Sequence, residues 1–314
     1  MINYLDYYIP EERISVESVF NSLKAETDLA APFNTSEDGI AFFNHVLGLR
    51  EVAYAADMEE VEMLKPLLTK FLHSNIVEPS GIDWLILIGD SLNKGFRMKN
   101  LAHYIQHIYD LNNMNVVEIS GNHCSNIEYA LIYAKSMLDA GSANNILLVA
   151  VNKMSIPQDR LVGSYAVKGD GAGLIFLKGD TDKGVNILGV HAFTNGLLYE
   201  ADVNKMNSLV LCKNYTHCLS TFMRKFSIKP EEISHIIIQN ANPLLLAQCF
   251  SSLGFKFNKI YTENLSAFGH LDCIDFIVNI KSLLKHNLAL GTKVISFGTG
   301  WAGSNIAILL EINC

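Results

Sequence analysis

The chain has 314 residues, of which 49% are hydrophobic and 18% charged, a composition typical of a globular protein with a large core. Its formal net charge of −8 argues against general nucleic-acid binding, which needs a basic face. The sequence has no apolar run of membrane-spanning length and no basic-then-apolar start of the signal-peptide type. We therefore expect a cytoplasmic protein with neither a membrane nor a nucleic acid as partner.

The cysteines show no spacing typical of a metal site, so we predict no bound metal and reduced thiols. There are six of them: Cys124, Cys212, Cys218, Cys249, Cys273 and Cys314.

The first half of the chain alternates apolar runs of buried-strand type with segments of helical periodicity. Strands are predicted at 4–10, 84–88, 116–119, 146–151 and 174–177, and helices at 15–23, 58–71, 101–109 and 127–138. Residues 27–43 are polar and irregular, which indicates a surface insertion.

The second half repeats the alternation. Strands are predicted at 185–193, 235–238, 260–261, 293–297 and 306–312, and helices at 206–226, 243–253 and 271–284. Alternating strands and helices indicate an α/β layer architecture, and two similar runs indicate an internal duplication. We place the halves at 1–178 and 179–314, and expect them to share an interface because no low-complexity linker separates them.

Cys124 lies where a predicted strand, 116–119, turns through Ser-Gly-Asn into a predicted helix. Ser125 or Asn126 can cap that helix. A helix N-terminus carries partial positive charge and unpaired N–H groups, both of which stabilise a thiolate. A single cysteine is more often a small buried side chain, so the nucleophile hypothesis needs support from the rest of the chain.

Six short motifs supply that support, because together and in this order they resemble the beta-ketoacyl-ACP synthase III family of thiolase-fold condensing enzymes. They are Gly48-Leu49-Arg50-Glu51, the turn at Cys124, Gly169-Asp170-Gly171-Ala172-Gly173, Gln239-Asn240-Ala241-Asn242, Gly269-His270 and Phe297-Gly298-Thr299-Gly300. The resemblance covers nearly the whole chain. It implies a duplicated five-layered αβαβα fold, with a homodimer or a heterodimer with a related subunit.

The resemblance also implies that Cys124 receives an acyl group from a CoA or carrier-protein thioester, with no cofactor beyond the phosphopantetheine of that donor. The oxyanion donors would be the backbone N–H groups of Cys124 and of Thr299 or Gly300. One such donor is worth roughly 2.7–4 kcal/mol to the tetrahedral intermediate.

Two positions depart from the decarboxylating members of the family, which use cysteine, histidine and asparagine. Their histidine position is occupied here by Gln239, and their asparagine position by His270. Glutamine donates hydrogen bonds but is neither an acid nor a base near neutral pH. We therefore expect malonyl decarboxylation to be lost, with Gln239 and Asn242 as substrate-binding residues or as structural ones.

His270 is the expected base, and a carboxylate is expected to orient it. Asp275 lies about one helical turn beyond His270, while Asp272 is two residues on, so either acid is a candidate. Cys–His–Asp is an arrangement that turns a thiol into an acyl-transfer nucleophile. Acyltransferases of the family's secondary-metabolism branch resemble this pattern, with a Gly-His and an aspartate five residues later.

Three functional hypotheses follow. The preferred one is an acyltransferase that uses Cys124, His270 and Asp275 to move an acyl group to a hydroxyl or amine without decarboxylation. The second is a carbon–carbon condensing enzyme with a Cys–His dyad, and the third is a non-catalytic partner subunit of a heteromeric complex. Pocket walls are expected near 91–99, 155–165 and 194–202, and the helix at 243–253 has no lysine or arginine to dock a carrier protein.

Overall fold

The computed structural model describes residues 1–23, 33–89, 101–179, 181, 183–198, 208–300 and 303–313. Its strands are β1 (Ile2–Tyr8), β2 (Arg13–Ser15), β3 (Glu51–Ala53), β4 (Trp84–Ile88), β5 (Asn115–Ile119), β6 (Asn145–Asn152), β7 (Leu161–Val162), β8 (Ala166–Val167), β9 (Gly171–Lys178), β10 (Gly184–Thr194), β11 (Ile233–Ile238), β12 (Ile260–Tyr261), β13 (Thr292–Thr299) and β14 (Ser304–Asn313). Its α-helices are α1 (Val16–Asn21), α2 (Ser36–Ala41), α3 (Glu60–Leu72), α4 (Leu101–Ile108), α5 (Asn126–Asp139), α6 (Ser208–Lys225), α7 (Leu244–Ser252), α8 (Leu265–Phe268) and α9 (Asp275–Leu284).

Ten of the strands form one sheet in the order β12-β11-β13-β14-β10-β1-β9-β6-β4-β5. Strands β10 to β14 occupy one side of this order, and the five strands from the first half occupy the other. When each set is renumbered one to five along the chain, both read 3-2-4-5-1 from their outer edge. Each set also has two parallel pairings followed by two antiparallel ones. The duplication inferred from the sequence is thus present in the topology.

The two five-stranded sets are joined through β1 and β10, which pair at Ile2 and Val185. A central apolar cluster lies between the sets and is built around α5 and α9. Alternate strand residues face this centre, because side chains of a strand point to opposite faces: Ile86 and Ile88 point inward, while Leu85 and Leu87 point outward.

The outward faces are covered by further helices. Helices α3 and α4 pack on the first set, and α6 and α7 pack on the second. The layers therefore follow the order α, β, α, β, α, so the fold class predicted from the sequence is confirmed. Among the described residues, no helix is both long enough and apolar enough to cross a membrane.

The predicted irregular insertion at 27–43 was wrong over its second part. Thr35 accepts a hydrogen bond from the Asp38 N–H and caps α2, and a short π-helix, Phe42–Val46, follows. Phe43 is fully buried against Phe20, so this segment belongs to a small core of its own. Residues 24–32 lie outside the described part of the chain.

The leucine-rich start of the helix predicted at 243–253 does not form an exposed apolar face. Leu244 is 48% exposed, whereas Leu246 is buried in the outer core beside Phe250. The run of leucines at 244–246 suggests an apolar face open to a partner or a substrate channel, but the helical period turns most of these side chains toward β11 and β13.

Candidate active site

Cys124 lies in a short 3-10 turn, His123–Ser125, between β5 and α5. His123 has a φ of +51°, a left-handed conformation that a non-glycine residue adopts only under local constraint. The Ser125 hydroxyl donates to the Asn122 carbonyl at 2.7 Å, and the Asn122 N–H donates to the Asn126 side chain at 2.9 Å. Ser125 occupies the N-cap position, but its hydroxyl is used for the turn rather than for a cap. These hydrogen bonds fix Cys124, which is 4% exposed, at the N-terminus of α5.

His270 comes from the second half of the chain and follows a glycine that no other residue could replace without strain. Gly269 has a φ of +66°, and a Cβ there would lie 2.5 Å from Val52 and 2.8 Å from the Val167 carbonyl. The His270 N–H donates to that carbonyl at 3.1 Å, and its own carbonyl accepts from Gly169 at 2.9 Å. The imidazole is thereby attached to the glycine-rich turn of the first half.

The same turn is fixed by a buried ion pair. The Arg160 guanidinium donates two hydrogen bonds to the Asp170 carboxylate, at 2.9 and 2.7 Å, and both side chains are fully buried. Asp170 also accepts from the N–H groups of Ala55 and Met154. The motif at 169–173 therefore supports His270 rigidly. Gly169 forms the backbone hydrogen bond to His270, and Asp170 forms the buried ion pair.

The side chains of Cys124, His270 and Asp275 meet in one buried cluster. The distance from His270 Nε2 to Cys124 Sγ is 3.0 Å, and the distance from His270 Nδ1 to Asp275 Oδ2 is 2.5 Å. Asp275 Oδ2 also accepts from the Asn240 N–H, and its Oδ1 accepts from the Leu271 N–H, both at 2.8 Å. An acceptor-only carboxylate held by two N–H groups requires His270 to carry its proton on Nδ1, which leaves Nε2 to accept the thiol proton.

Asp272, the other acid considered from the sequence, does not orient the imidazole. Its Oδ2 is 2.6 Å from Lys168 Nζ, and both side chains are buried. Burial alone would raise the Asp272 pKa, but the positive charge of Lys168 and the nearby His270 outweigh it and lower that pKa to about 2. Asp275 is therefore the orienting acid, and Asp272 is an ionised neighbour.

Gln239 occupies a closed hydrogen-bond network. Its Oε1 accepts from the Tyr165 hydroxyl and from Thr299 Oγ1, both at 2.8 Å, and its Nε2 donates to the Thr299 carbonyl at 2.7 Å. The Tyr165 ring packs edge-on against His270, with centroids 6.1 Å apart. Burial raises the Tyr165 pKa well above its usual value, so the phenol stays neutral. Tyr165 lies at the end of the pocket wall expected at 155–165, but its contact with His270 was not predicted, because a lone tyrosine in an irregular segment carries no signal of its direction.

Asn242 anchors the chain that carries Tyr165. Its N–H donates to the Tyr165 carbonyl at 2.7 Å, its Nδ2 donates to the Ser164 carbonyl at 3.3 Å, and its Oδ1 accepts from Leu244. The substrate-binding role predicted for Gln239 and Asn242 stays a prediction. Both side chains have a structural role, because both form hydrogen bonds within the protein. Of the pocket walls expected from the sequence, residues 91–99 and 199–202 lie outside the described part.

The glycine-rich turn at the end of β13 lies against the Cys124 turn. A Cβ on Gly300 would stand 2.2 Å from the Asn122 carbonyl oxygen, so only glycine fits. The Gly300 N–H donates to the Ser304 carbonyl at 2.8 Å. In an antiparallel ladder the N–H and C=O of one residue point to the same side. The Thr299 carbonyl accepts from Gln239 and therefore points away from β14. The Thr299 N–H consequently points away from β14 too.

Comparisons with known proteins agree with this geometry. Residues 120–196 match the model of the 3-oxoacyl-[acyl-carrier-protein] synthase III family. The chain is 25% identical over 269 residues to beta-ketoacyl-[acyl-carrier-protein] synthase III of Aquifex aeolicus, covering 82% of this chain and 84% of that protein. It is 30% identical over 192 residues to the corresponding protein of Campylobacter jejuni, covering 60% of this chain and 54% of that one.

Solved structures give the same fold. The acyltransferase ChlB3 superimposes with a TM-score of 0.80 at 18% identity, covering 99% of this chain and 97% of that one. The Aquifex aeolicus synthase III has a TM-score of 0.78 at 21% identity and 99% coverage of both chains. A variant of Xanthomonas campestris OleA has a TM-score of 0.78 at 12% identity, covering 99% and 97%.

The layered duplication and the cysteine turn define a thiolase-fold protein. More narrowly, the chain is similar to the synthase III family in both sequence and fold, so the resemblance read from its motifs is confirmed.

Proposed function

We propose that this protein is a ketosynthase-III-like acyltransferase of specialised metabolite biosynthesis. It loads an acyl group from a CoA or carrier-protein thioester onto Cys124. It then transfers that group, without malonyl decarboxylation, to a hydroxyl or amine acceptor. The donor's phosphopantetheine is substrate, and no resident cofactor is required.

The observation that carries the proposal is the chain of contacts from Cys124 Sγ through His270 to Asp275, at 3.0 and 2.5 Å. In the first step His270 Nε2 takes the thiol proton, the sulfur attacks the thioester carbonyl, and the donor thiol leaves with that proton. In the second step Nε2 takes the proton of the acceptor hydroxyl or amine, which attacks the Cys124 thioester and regenerates the free cysteine.

The surroundings of Gln239 support transfer without decarboxylation. Decarboxylation leaves an enolate oxygen that needs hydrogen-bond donors, and the donating Nε2 of Gln239 is already bonded to the Thr299 carbonyl.

For the oxyanion, we favour the backbone N–H groups of Cys124 and Thr299 over that of Gly300. The Gly300 N–H is used in the β13–β14 turn, whereas the Thr299 N–H is directed to the side where Gln239 and Tyr165 lie. The proposal also includes the dimeric state and the cytoplasmic location expected from the sequence.

The test is acylation of the purified protein with acetyl-, butyryl- and octanoyl-CoA, and with the same chains on a carrier protein. We expect one acyl mass on Cys124, which is absent in Cys124→Ala and kept in Cys212→Ala, a variant that lacks a partly exposed cysteine on α6. An unmodified protein across the whole panel would refute the proposal.

Acceptor chemistry then separates the alternatives. Mixing the acyl-enzyme with simple alcohols and amines should yield esters or amides, with a rate that falls in His270→Ala. Carbon dioxide release from malonyl-CoA, or a new ketone, would instead identify a condensing enzyme. Stable acylation with no transfer to any acceptor, together with product formation only by a related subunit, would identify a non-catalytic partner.

A further inference from the structure

A second pair of buried charges lies beside the Cys124–His270–Asp275 cluster. Lys168 Nζ and Asp272 Oδ2 are 2.6 Å apart. One carboxylate oxygen of Asp272, one ring nitrogen of His270 and the sulfur of Cys124 all lie within 4.8 Å of one another. Asp272 is thus close to the reacting thiol, although it does not orient the imidazole.

The backbone holds this pair in place on both sides. Asp272 has a φ of +58°, a left-handed conformation that is uncommon for a residue with a side chain. Lys168 and His270 form an isolated parallel β-bridge. In it the His270 N–H donates to the Val167 carbonyl, and the Gly169 N–H donates to the His270 carbonyl. The same short backbone contact that positions the imidazole therefore also positions the ammonium group.

The two charges act on Cys124 in opposite directions. An anion near a thiol disfavours the thiolate, whereas a cation favours it. Asp272 is ionised and pairs with Lys168, so the two effects oppose each other as long as both residues are present.

We propose that Lys168 and Asp272 are positioning residues that set the pH range in which Cys124 is a nucleophile. The Asp272 charge disfavours the thiolate of Cys124, and Lys168 offsets that charge so that His270 can remove the thiol proton. This inference rests on the proposed function, because it takes Cys124 as the nucleophile.

Other groups also face the thiol and the imidazole. Asp275 is bonded to His270, and the Tyr165 and Tyr215 phenols are kept neutral because burial raises their pKa values. Burial also raises the Glu128 pKa, to about 8, and Cys273 donates to the carbonyl of His123. The variants below keep all of these side chains, and the contact they alter among them is the one from Cys273 to Asp272 Oδ1 at 3.6 Å.

The experiment measures the rate at which iodoacetamide alkylates Cys124 as a function of pH, with Cys124 followed by peptide mass spectrometry. In Asp272→Asn, the pH of half-maximal rate should fall by about one unit. In Lys168→Met it should rise by a similar amount. In the double variant it should return close to the wild-type value, because both charges are absent.

Asparagine tolerates a left-handed backbone, so Asp272→Asn should keep the turn intact. Lys135→Met and Asp139→Asn, which remove the partners of an exposed pair at 2.7 Å, are the matched controls and should leave the profile unchanged. Single-variant shifts in the same direction, or no shift in either, would overturn the inference. Alkylation needs no acyl donor, so this result does not depend on whether the acyl-CoA panel labels Cys124.

Discussion

Asp275 decides which nitrogen of His270 carries the proton, and this makes it the most informative single residue to change. In Asp275→Asn one oxygen becomes an NH₂ group that faces the N–H donors of Asn240 and Leu271 or the imidazole. Either orientation loses an acceptor, and an amide that donates to Nδ1 leaves the proton on Nε2. We expect the rate of Cys124 acylation to fall by about 10²- to 10⁴-fold.

The measurement is single-turnover acylation, with the thermal unfolding midpoint of the same variant as a check on folding. Asp139→Asn on the surface of α5 is the matched substitution and should keep the wild-type rate. A rate within threefold of wild type in a folded Asp275→Asn protein would remove Asp275 from the mechanism.

Glu128 lies one helical turn after Cys124 and is buried, and none of the ion pairs found in the described part of the chain includes it. Burial raises its pKa from 4.5 to about 8, which outweighs the lowering by the hydrogen bond from Ser296. Among the residues that the structure describes, none forms a hydrogen bond with its Oε2. The folded state therefore holds the proton more tightly than the unfolded chain. The stability this contributes is full below pH 4.5 and is lost as the pH rises toward 8.

Glu128→Gln removes this titration. The free energy of unfolding of the variant, relative to wild type, should increase between pH 5 and pH 8 by on the order of 3 kcal/mol. Denaturant titrations at the two pH values measure the difference. The exposed Glu37→Gln should show no such change, and an equal difference at both pH values for Glu128→Gln would mean that the carboxyl is already ionised in the folded state.

Motif positions made Cys124, His270 and Asp275 predictable as a group, because each belongs to a local pattern of the chain. Lys168 and Tyr165 belong to no such pattern. They reach the site through the glycine-rich turn and the Asn242 anchor, which bring together residues that are 74 to 104 positions apart. Contacts of this kind depend on the tertiary fold, so the sequence alone did not indicate them.

At the scale of elements, the long apolar runs located the ten strands of the main sheet, within a few residues at their ends. The two-stranded sheets β2–β3 and β7–β8 were missed. Their strands have only two or three residues, too few for a period of two to be recognised. The first of these sheets matters for the site, because Val52 in β3 lies against Gly269.

The packing of α6 against α7 can be tested through Cys212 and Cys249, whose sulfurs are 2.9 Å apart while both are free thiols. Oxidised glutathione should react first at the half-exposed Cys212. Cys249 then displaces glutathione to form a disulfide, and two reduced glutathione molecules are released. Burial raises the Cys249 pKa to about 12, so the second step should be faster at alkaline pH.

The expected product is about 2 Da lighter than the reduced protein and contains a Cys212–Cys249 crosslinked peptide. The crosslink closes a loop of 37 positions and should stabilise the fold by about 3–4 kcal/mol. Cys212→Ser should prevent it, and Cys218, whose pKa burial also raises to about 12, should stay reduced. A stable glutathione adduct on Cys212 without a crosslink would show that the helices are farther apart.

At the scale of the whole molecule, the two edge strands of the main sheet differ in length. At one end β12 has two residues, whereas at the other β5 has five and leads directly to the Cys124 turn. Among the described strands, β5 therefore presents an unpaired edge, and such edges are usually paired or covered. Helix α4, which packs beside it, exposes Tyr104 and Ile108.

We expect two copies of the chain to associate along this edge, so that the protein sediments at twice the mass of one chain. Placing two charges in the contact, Tyr104→Lys with Ile108→Lys, should produce monomers, because lysines would be desolvated there without partners. Leu290→Lys, at an exposed leucine of the second half, is the matched control and should leave the dimer intact. If the double variant stays dimeric in sedimentation, the subunits associate through another surface. If the wild type is monomeric, the turn that carries Cys124 is stable without a second subunit.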